Sequence, residues 1–243
     1  MGMLKRSSPQ IASPPGVTQP SRLPGRLLDR AFFEHPPELV APRVLGKLLV
    51  HKGPAGVLAG RIVEAEAYLG PHNHPPDPAA HSHRGPTPRN QVLFGLAGHA
   101  YVYSIYGMYF CLNVSCESEG LAGCVLLRAM EPVTGLEAMA RNRGLPKGLS
   151  GSKLIQQLSS GPSRLCMALG VDRLSHNGLD VTRSTSPLQI RDDGFGITEV
   201  LVTPRIGINQ SNQAVHWPLR FALPGNPCVS GPRNLVGRRV PIP

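Results

Sequence analysis

The 243-residue sequence is poor in aromatic side chains: one tryptophan, six phenylalanines and five tyrosines. Its core must therefore be largely aliphatic, and hydrophobic residues at 41% are ample for one. Acidic residues are also few. Against 25 Lys+Arg there are 15 Asp+Glu, a net charge of +10, which sets up a field that attracts polyanions such as nucleic acid. No apolar run approaches the roughly 20 residues needed to span a bilayer, and no Lys/Arg run follows the pattern of an amphipathic surface helix. An intracellular, non-secreted protein with no membrane partner is expected. The cysteines, Cys111, Cys116, Cys124, Cys166 and Cys228, contain no C-x-x-C pair. Buried free thiols in a reducing compartment account for them.

Familiar catalytic signatures are missing too. Gly148-Leu-Ser-Gly-Ser-Lys153 is not G-x-x-x-x-G-K-[ST], and no G-x-S-x-G elbow exists, so neither nucleotide hydrolysis nor serine-esterase chemistry has support. His72, His74, His81 and His83 form two His-x-His pairs, but they match neither zinc-finger nor H-E-x-x-H spacing. No metal or other cofactor is expected. No period of 20 to 50 residues marks a repeat protein.

Residues 1–25, rich in proline and serine, read as a disordered tail, and 26–243 as one domain. Within the domain, Pro37 to Leu45 reads as a short helix, Gly46 to His51 as a strand, and Val57 to Tyr68 as a strand that places Ile62, Glu64, Glu66 and Tyr68 on one face. Gly70 to Arg89 is a proline- and glycine-rich loop of the length that is usually functional or disordered. Three consecutive strands follow, Ala100 to Tyr106, Tyr109 to Cys116 and Gly123 to Met130. Thr134-Gly-Leu-Glu137 predicts a capping box opening a helix through Arg143, and Gly161-Pro-Ser-Arg164 predicts a second helix closed by Gly170. Short strands at Glu199 to Thr203 and Leu219 to Leu223 complete the pattern. Strands followed by helices argue for an α+β fold, a mainly antiparallel curved sheet flanked by short helices.

Two features could carry chemistry. Four of the five tyrosines fall within Tyr101-Val-Tyr-Ser-Ile-Tyr-Gly-Met-Tyr109, which suits either a core hairpin or a surface that needs rings. Glu64 and Glu66, two apart on a strand, lie roughly 6.5 Å apart, a separation at which carboxylates could frame a glycosidic bond or merely face solvent.

Arg61-Ile-Val-Glu-Ala-Glu-Ala-Tyr-Leu-Gly-Pro71, Ala79-Ala-His-Ser82, Thr87-Pro-Arg-Asn90, Tyr101 to Asn113, Val125-Leu-Leu-Arg-Ala129 and Ser160-Gly-Pro-Ser-Arg164 together resemble, in order, the alkyladenine (3-methyladenine) DNA glycosylase family. The resemblance spans roughly Leu27 to Ser230. It implies a monofunctional DNA glycosylase that flips alkylated purines from duplex DNA, hydrolyses the N-glycosidic bond and so initiates base excision repair. By the match, Glu66 is the general base that activates water. Tyr68, His81 and Tyr103 stack on the extruded base, and Asn113 disfavours purines with a 2-amino group. Tyr106, beside Gly107, fills the gap left in the duplex, and Arg128 and Arg164 grip DNA. Arg89 and Arg220 join them on charge alone, and Glu64 is left a structural role. Tyr101 and Tyr109 keep a core role. The loop Pro71 to Pro78 is longer than the family's usual link, so the position of His81 rests on the short match at Ala79 to Ser82. The implied partner is double-stranded DNA containing alkylated purines, bound by a monomer. A catalytically silent nucleic-acid-binding module and a carbohydrate hydrolase using Glu64 and Glu66 are the alternatives. The combination of Glu66, Tyr68 and Asn113 opposes the first, and the +10 charge the second.

Overall fold

The computed structural model describes residues 23–232 and 236–242; residues 1–22 of the expected tail lie outside them. Leu23 packs against a small cluster of Leu48, Val50 and Ala59. Among the described residues, the strands in chain order are β1 (Arg26–Leu27), β2 (Leu48–Gly53), β3 (Gly56–Tyr68), β4 (Ala100–Ile105), β5 (Tyr109–Cys116), β6 (Gly123–Thr134), β7 (Leu188–Asp192), β8 (Glu199–Thr203), β9 (Arg220–Ala222) and β10 (Arg238–Pro241). The helices are α1 (Pro37–Val44), α2 (Leu136–Asn142), α3 (Gly151–Ser159), α4 (Pro162–Leu169) and α5 (Arg173–His176). None is long and apolar enough to cross a membrane.

All strand pairings are antiparallel, in the order β1-β7-β2-β3-β6-β5-β4, with β9, β8 and β10 joined through β3. The α+β architecture is thus a single domain around one open sheet. Helix α1 packs on β3, while α3 and α4 pack on β6 and α4 also on β5. This apolar layer, including Val40, Val44, Leu127, Met130, Leu165 and Leu169, forms the main core.

The 13-residue β3 organises the molecule. Its first half pairs with β2, and at Glu64, Ala65 and Glu66 that edge passes to β9 while the other stays on β6. Register shifts between Ile62 and Glu64 and between Glu64 and Ala65 mark irregularities in the ladder. Such bulges re-aim side chains next to functional sites. The even alternation expected from Ile62 to Tyr68 is broken there, but Glu64 and Glu66 still reach the same arginine, Arg128 of β6.

One expected cap is absent. Thr134 ends β6, paired with Ala59, and Gly135 at φ 81° precedes α2 with no side-chain cap. A Cβ at Gly135 would meet Leu58 Cδ2 at 2.4 Å, so close packing against β3, and not a threonine hydroxyl, sets the start of this helix. Helix α4 does begin at Pro162 and ends at left-handed Gly170, whose N–H bonds back to the last turn. Helix α3 was not expected.

The long loop has no strand or helix from Leu69 to Asn90 but is held from inside. Asp77 is fully buried against Arg205, with Nη1–Oδ2 2.6 Å and Nη2–Oδ1 2.9 Å, and it accepts the Leu69 and Ala79 amides. Asn90 donates to the carbonyls of His81 and Gly85 and accepts the Thr87 amide. Buried side chains satisfy the loop's free backbone groups in place of a ladder.

Glu64 joins the sheet electrostatically. It accepts Arg128 Nε at 3.0 Å, Arg220 Nε at 2.6 Å, the Ser230 amide at 2.7 Å and the Ser230 hydroxyl at 2.9 Å. Removing one member of such a group leaves buried charge unpaired, at a cost of about 3–5 kcal/mol. We expect Glu64→Ala to lower the urea unfolding midpoint strongly, whereas Arg239→Ala, which breaks the exposed pair with Glu199, leaves it nearly unmoved. Similar midpoints for the two variants would contradict this ranking.

Candidate active site

Glu66 sits at the junction of β3, β6 and β9, with no solvent exposure. Two hydrogen bonds and one ion pair hold it. The Ile206 amide gives 2.8 Å to Oε1, and the Tyr68 hydroxyl gives 3.0 Å to Oε2, which also lies 3.3 Å from Arg128 Nη1. A carboxylate has about four lone-pair sites. Glu64 accepts four hydrogen bonds, three on Oε1 and one on Oε2, whereas Glu66 accepts two, one on each oxygen, and is the less occupied carboxylate. Burial raises the pKa of Glu66, and Arg128, the Ile206 amide and the Tyr68 hydroxyl pull it back toward the ionised form.

Tyr68, Arg128 and Ile206, which hold Glu66, line two adjoining hollows that the fully buried Glu66 does not itself line. One, about 150 Å³, is lined by Tyr68, His81, Tyr101, Tyr103, Asn113 and Cys124. The other, about 450 Å³, shares Tyr68 and Tyr103 and adds Tyr106, Arg128, Pro162 and Ile206. A larger hollow of about 550 Å³, lined by Leu201, Leu223, Pro224 and Arg239 among others, gathers no acid–base groups among the described residues.

Tyr101 and Tyr103 alternate on β4 and so face the same side. Their rings are 5.4 Å apart, and His81 meets Tyr103 edge-on at 4.5 Å. His81 Nδ1 lies 3.0 Å from the Tyr101 hydroxyl. Although His81 is exposed at the rim, desolvation and then Arg89 lower its pKa, which favours the neutral ring. Burial raises all three tyrosines, Tyr101 to about 12 and Tyr68 and Tyr103 well above the ordinary phenol value, so their hydroxyls keep their protons. Asn113, buried in β5, donates to the Tyr101 carbonyl at 3.2 Å and also lines the smaller hollow. It serves both as backbone partner and as wall.

Tyr106 stands at the tip of the β4–β5 hairpin, 89% exposed. Its φ of 50° and the 73° of Gly107 make a tight left-handed turn, uncommon for a bulky residue and strained. Met108 beside it is 68% exposed. Arg164 is exposed in the first turn of α4, next to Pro162 at the edge of the larger hollow.

Arg128, expected on the DNA-facing surface, is only 6% exposed and turned inward between Glu64 and Glu66. Arg220, expected there on charge alone, is 1% exposed and bonds Glu64, Thr203 and the Ser230 carbonyl. Both correct the assumption that arginine in a basic chain lies outside; each faces a carboxylate that would otherwise be buried unpaired. Arg89 is exposed, its guanidinium 5.5 Å from the Tyr103 ring centroid. Sequence reasoning missed Tyr101 as support for His81, and it missed Asp77, Arg205 and the Ile206 amide. The spacing of 101 and 103 could have revealed the first; Asp77 and Arg205 meet across 128 residues with no local signal. His72, exposed on the loop, also contacts the Leu121 carbonyl and the Glu117 carboxylate. Among the described residues, no group of three or more His, Cys, Asp or Glu is placed to hold a metal ion.

Residues 31–227 match the family model described as "Methylpurine-DNA glycosylase". Three similar proteins each carry the name "Putative 3-methyladenine DNA glycosylase". That of Koribacter versatilis is 50% identical over 208 residues, 86% of this chain and 95% of the relative. That of Alkaliphilus oremlandii is 41% identical over 205 residues, 84% and 98%. That of Methanocella arvoryzae is 43% identical over 204 residues, 84% and 96%.

The raised pKa of Glu66 has a thermodynamic consequence. Folding strengthens its hold on the proton, so its stabilising contribution is full below the ordinary glutamate value of about 4.3 and is lost as pH rises through the folded value. The stability of the wild type relative to Glu66→Gln, measured by denaturant unfolding across pH, is expected to decline over that window. An increase with pH would contradict the environment described.

Proposed function

The chain belongs to the methylpurine-DNA glycosylase family, and from that premise we propose that it is a monofunctional DNA glycosylase that extrudes alkylated purines from duplex DNA and hydrolyses their N-glycosidic bonds. The observation that carries the reading is the contrast between the two buried carboxylates: Glu64 accepts four hydrogen bonds, while Glu66 accepts only two, one of them from Tyr68, a wall of the aromatic hollow.

In this mechanism a water bound to Glu66 attacks C1′ of the extruded nucleotide. The C1′–N bond breaks, the electron pair leaves with the purine, and Glu66 accepts the water's proton. The carboxylate also stabilises positive charge growing on the sugar. The nucleotide enters past Tyr68 and Tyr103, and the water reaches Glu66 as the Tyr68 and Arg128 contacts shift. Arg128 then acts here by keeping Glu66 ionised, in place of the phosphate grip expected for it.

A purine alkylated at N3 or N7 is cationic and electron-poor, so the faces of Tyr68 and Tyr103 bind it more strongly than an undamaged base, by about 0.5–2 kcal/mol per contact. Asn113 at the floor sets which exocyclic groups fit. The exposed ring of Tyr106 fills the space vacated in the stack, and Arg164 with the first turn of α4 meets a phosphate. The +10 charge favours any DNA without regard to sequence. In this scheme the active species is a monomer.

Incubation with duplexes carrying methylated purines is expected to release free methylated base without strand cleavage. Glu66→Gln should bind the lesion duplex yet release no base, and Tyr106→Ala should capture it more weakly. Wild-type turnover by Glu66→Gln, or undiminished affinity in Tyr106→Ala, overturns the corresponding role.

A further inference from the structure

Tyr68 lines both hollows, while the Arg205 guanidinium lies 4.5 Å from its ring centroid. Arg205 is itself fully buried at its side chain and lines neither hollow, so it covers the ring face turned away from the ligand. Its Nη1 also donates to the Ala67 carbonyl, and its Nε has no hydrogen-bond acceptor. The ring therefore already carries a cation on one side. A cationic purine stacked on the other side would stand roughly 8 Å from that guanidinium, close enough to be repelled through a poorly screened interior.

Asp77 answers this repulsion. Its two oxygens take Nη1 and Nη2 of Arg205 at 2.6 and 2.9 Å, with no solvent exposure. The buried charged groups around Tyr68 are then Glu64, Glu66 and Asp77 against Arg128, Arg205 and Arg220, three of each sign. Without Asp77 the set would carry an excess positive charge directly behind the stacking ring.

Resting on the glycosylase reading, we propose that Asp77 is a specificity-determining positioning residue: by neutralising Arg205 behind Tyr68, it keeps the stacking face attractive to cationic alkylpurines. Arg205 supplies the rigid backing of the ring, and Asp77 cancels the charge that backing introduces. The long loop containing Asp77 thereby acts on base selection through its buried anchor, with no contact to the base.

The test is equilibrium binding to two duplexes that differ at one nucleotide. One carries 7-methyladenine and the other its neutral isostere 7-methyl-7-deazaadenine, neither bearing a 2-amino group and each on a 2′-fluoro sugar that resists hydrolysis. The readout is the ratio of the two affinities in one preparation, from which any unfolded fraction cancels. Asp77→Asn is expected to reduce the preference for the cationic base by about tenfold. Arg205→Met breaks the same ion pair but removes the positive charge, and it is expected to keep or increase that preference. A merely structural role would move both variants alike. A preference in Asp77→Asn within about twofold of wild type, or a fall in Arg205→Met matching that in Asp77→Asn, overturns the proposal. If Asp77→Asn does not fold, a reduced preference in Arg205→Met alone overturns it, and a kept or increased one upholds it. Failure of the wild type to bind either lesion duplex above undamaged DNA would instead sink the glycosylase reading, and this proposal with it.

Discussion

Arg128, wedged between Glu64 and Glu66, is the interaction on which the rest of the structure depends. Two carboxylates two residues apart on a buried strand would repel each other and resist ionisation, and a guanidinium between them makes the arrangement tolerable. Strand β9 brings Arg220 to the far side of Glu64, and the segment after β8 brings the Ile206 amide to Glu66. The bulges in β3 lie at this point. Sheet order, register and charge pairing thus converge on two fully buried side chains, Glu64 with four hydrogen bonds and Glu66 with two. Burial raises the pKa of Glu66 while its donors oppose the shift.

The aromatic wall depends on a second internal constraint. Asp77 and Asn90 hold the long loop so that His81 meets Tyr101 and Tyr103 at fixed geometry. The loop has the composition of a flexible segment, yet its polar groups are satisfied from within, so it can carry one wall of a recognition pocket. At the hairpin tip, the left-handed backbone of Tyr106 keeps a large ring in solvent, a conformation costing about 1–3 kcal/mol.

Much of this was legible in the sequence. The strands at Val57 to Tyr68 and across the tyrosine cluster, the α1 and α4 helices and the Gly170 stop follow local rules, and local rules prevail where period, cap and turn agree. Helix α3 was missed because Gly148-Leu-Ser-Gly-Ser-Lys153 drew attention only as a failed phosphate loop. The Thr134 cap was misjudged because close approach of Gly135 to Leu58 is a tertiary fact. In the site, Glu66, Tyr68, Tyr103 and Asn113 were found as a group, and their convergence agrees with their alternation on neighbouring strands. The inward turn of Arg128 and Arg220 was not visible, since charge alone points outward and only pairing partners distant in sequence reverse it. The same holds for Asp77 and Arg205.

The central claim, that Glu66 must be ionised for the chemistry, is tested most directly by the single-turnover rate of methylated-base release as a function of pH. The account predicts a rate that rises with pH to a plateau, its acid limb lying above the ordinary glutamate value of about 4.3 because burial lifts this carboxyl. A rate that stays constant down through that value would mean that no carboxylate of this kind takes part, and would contradict the account.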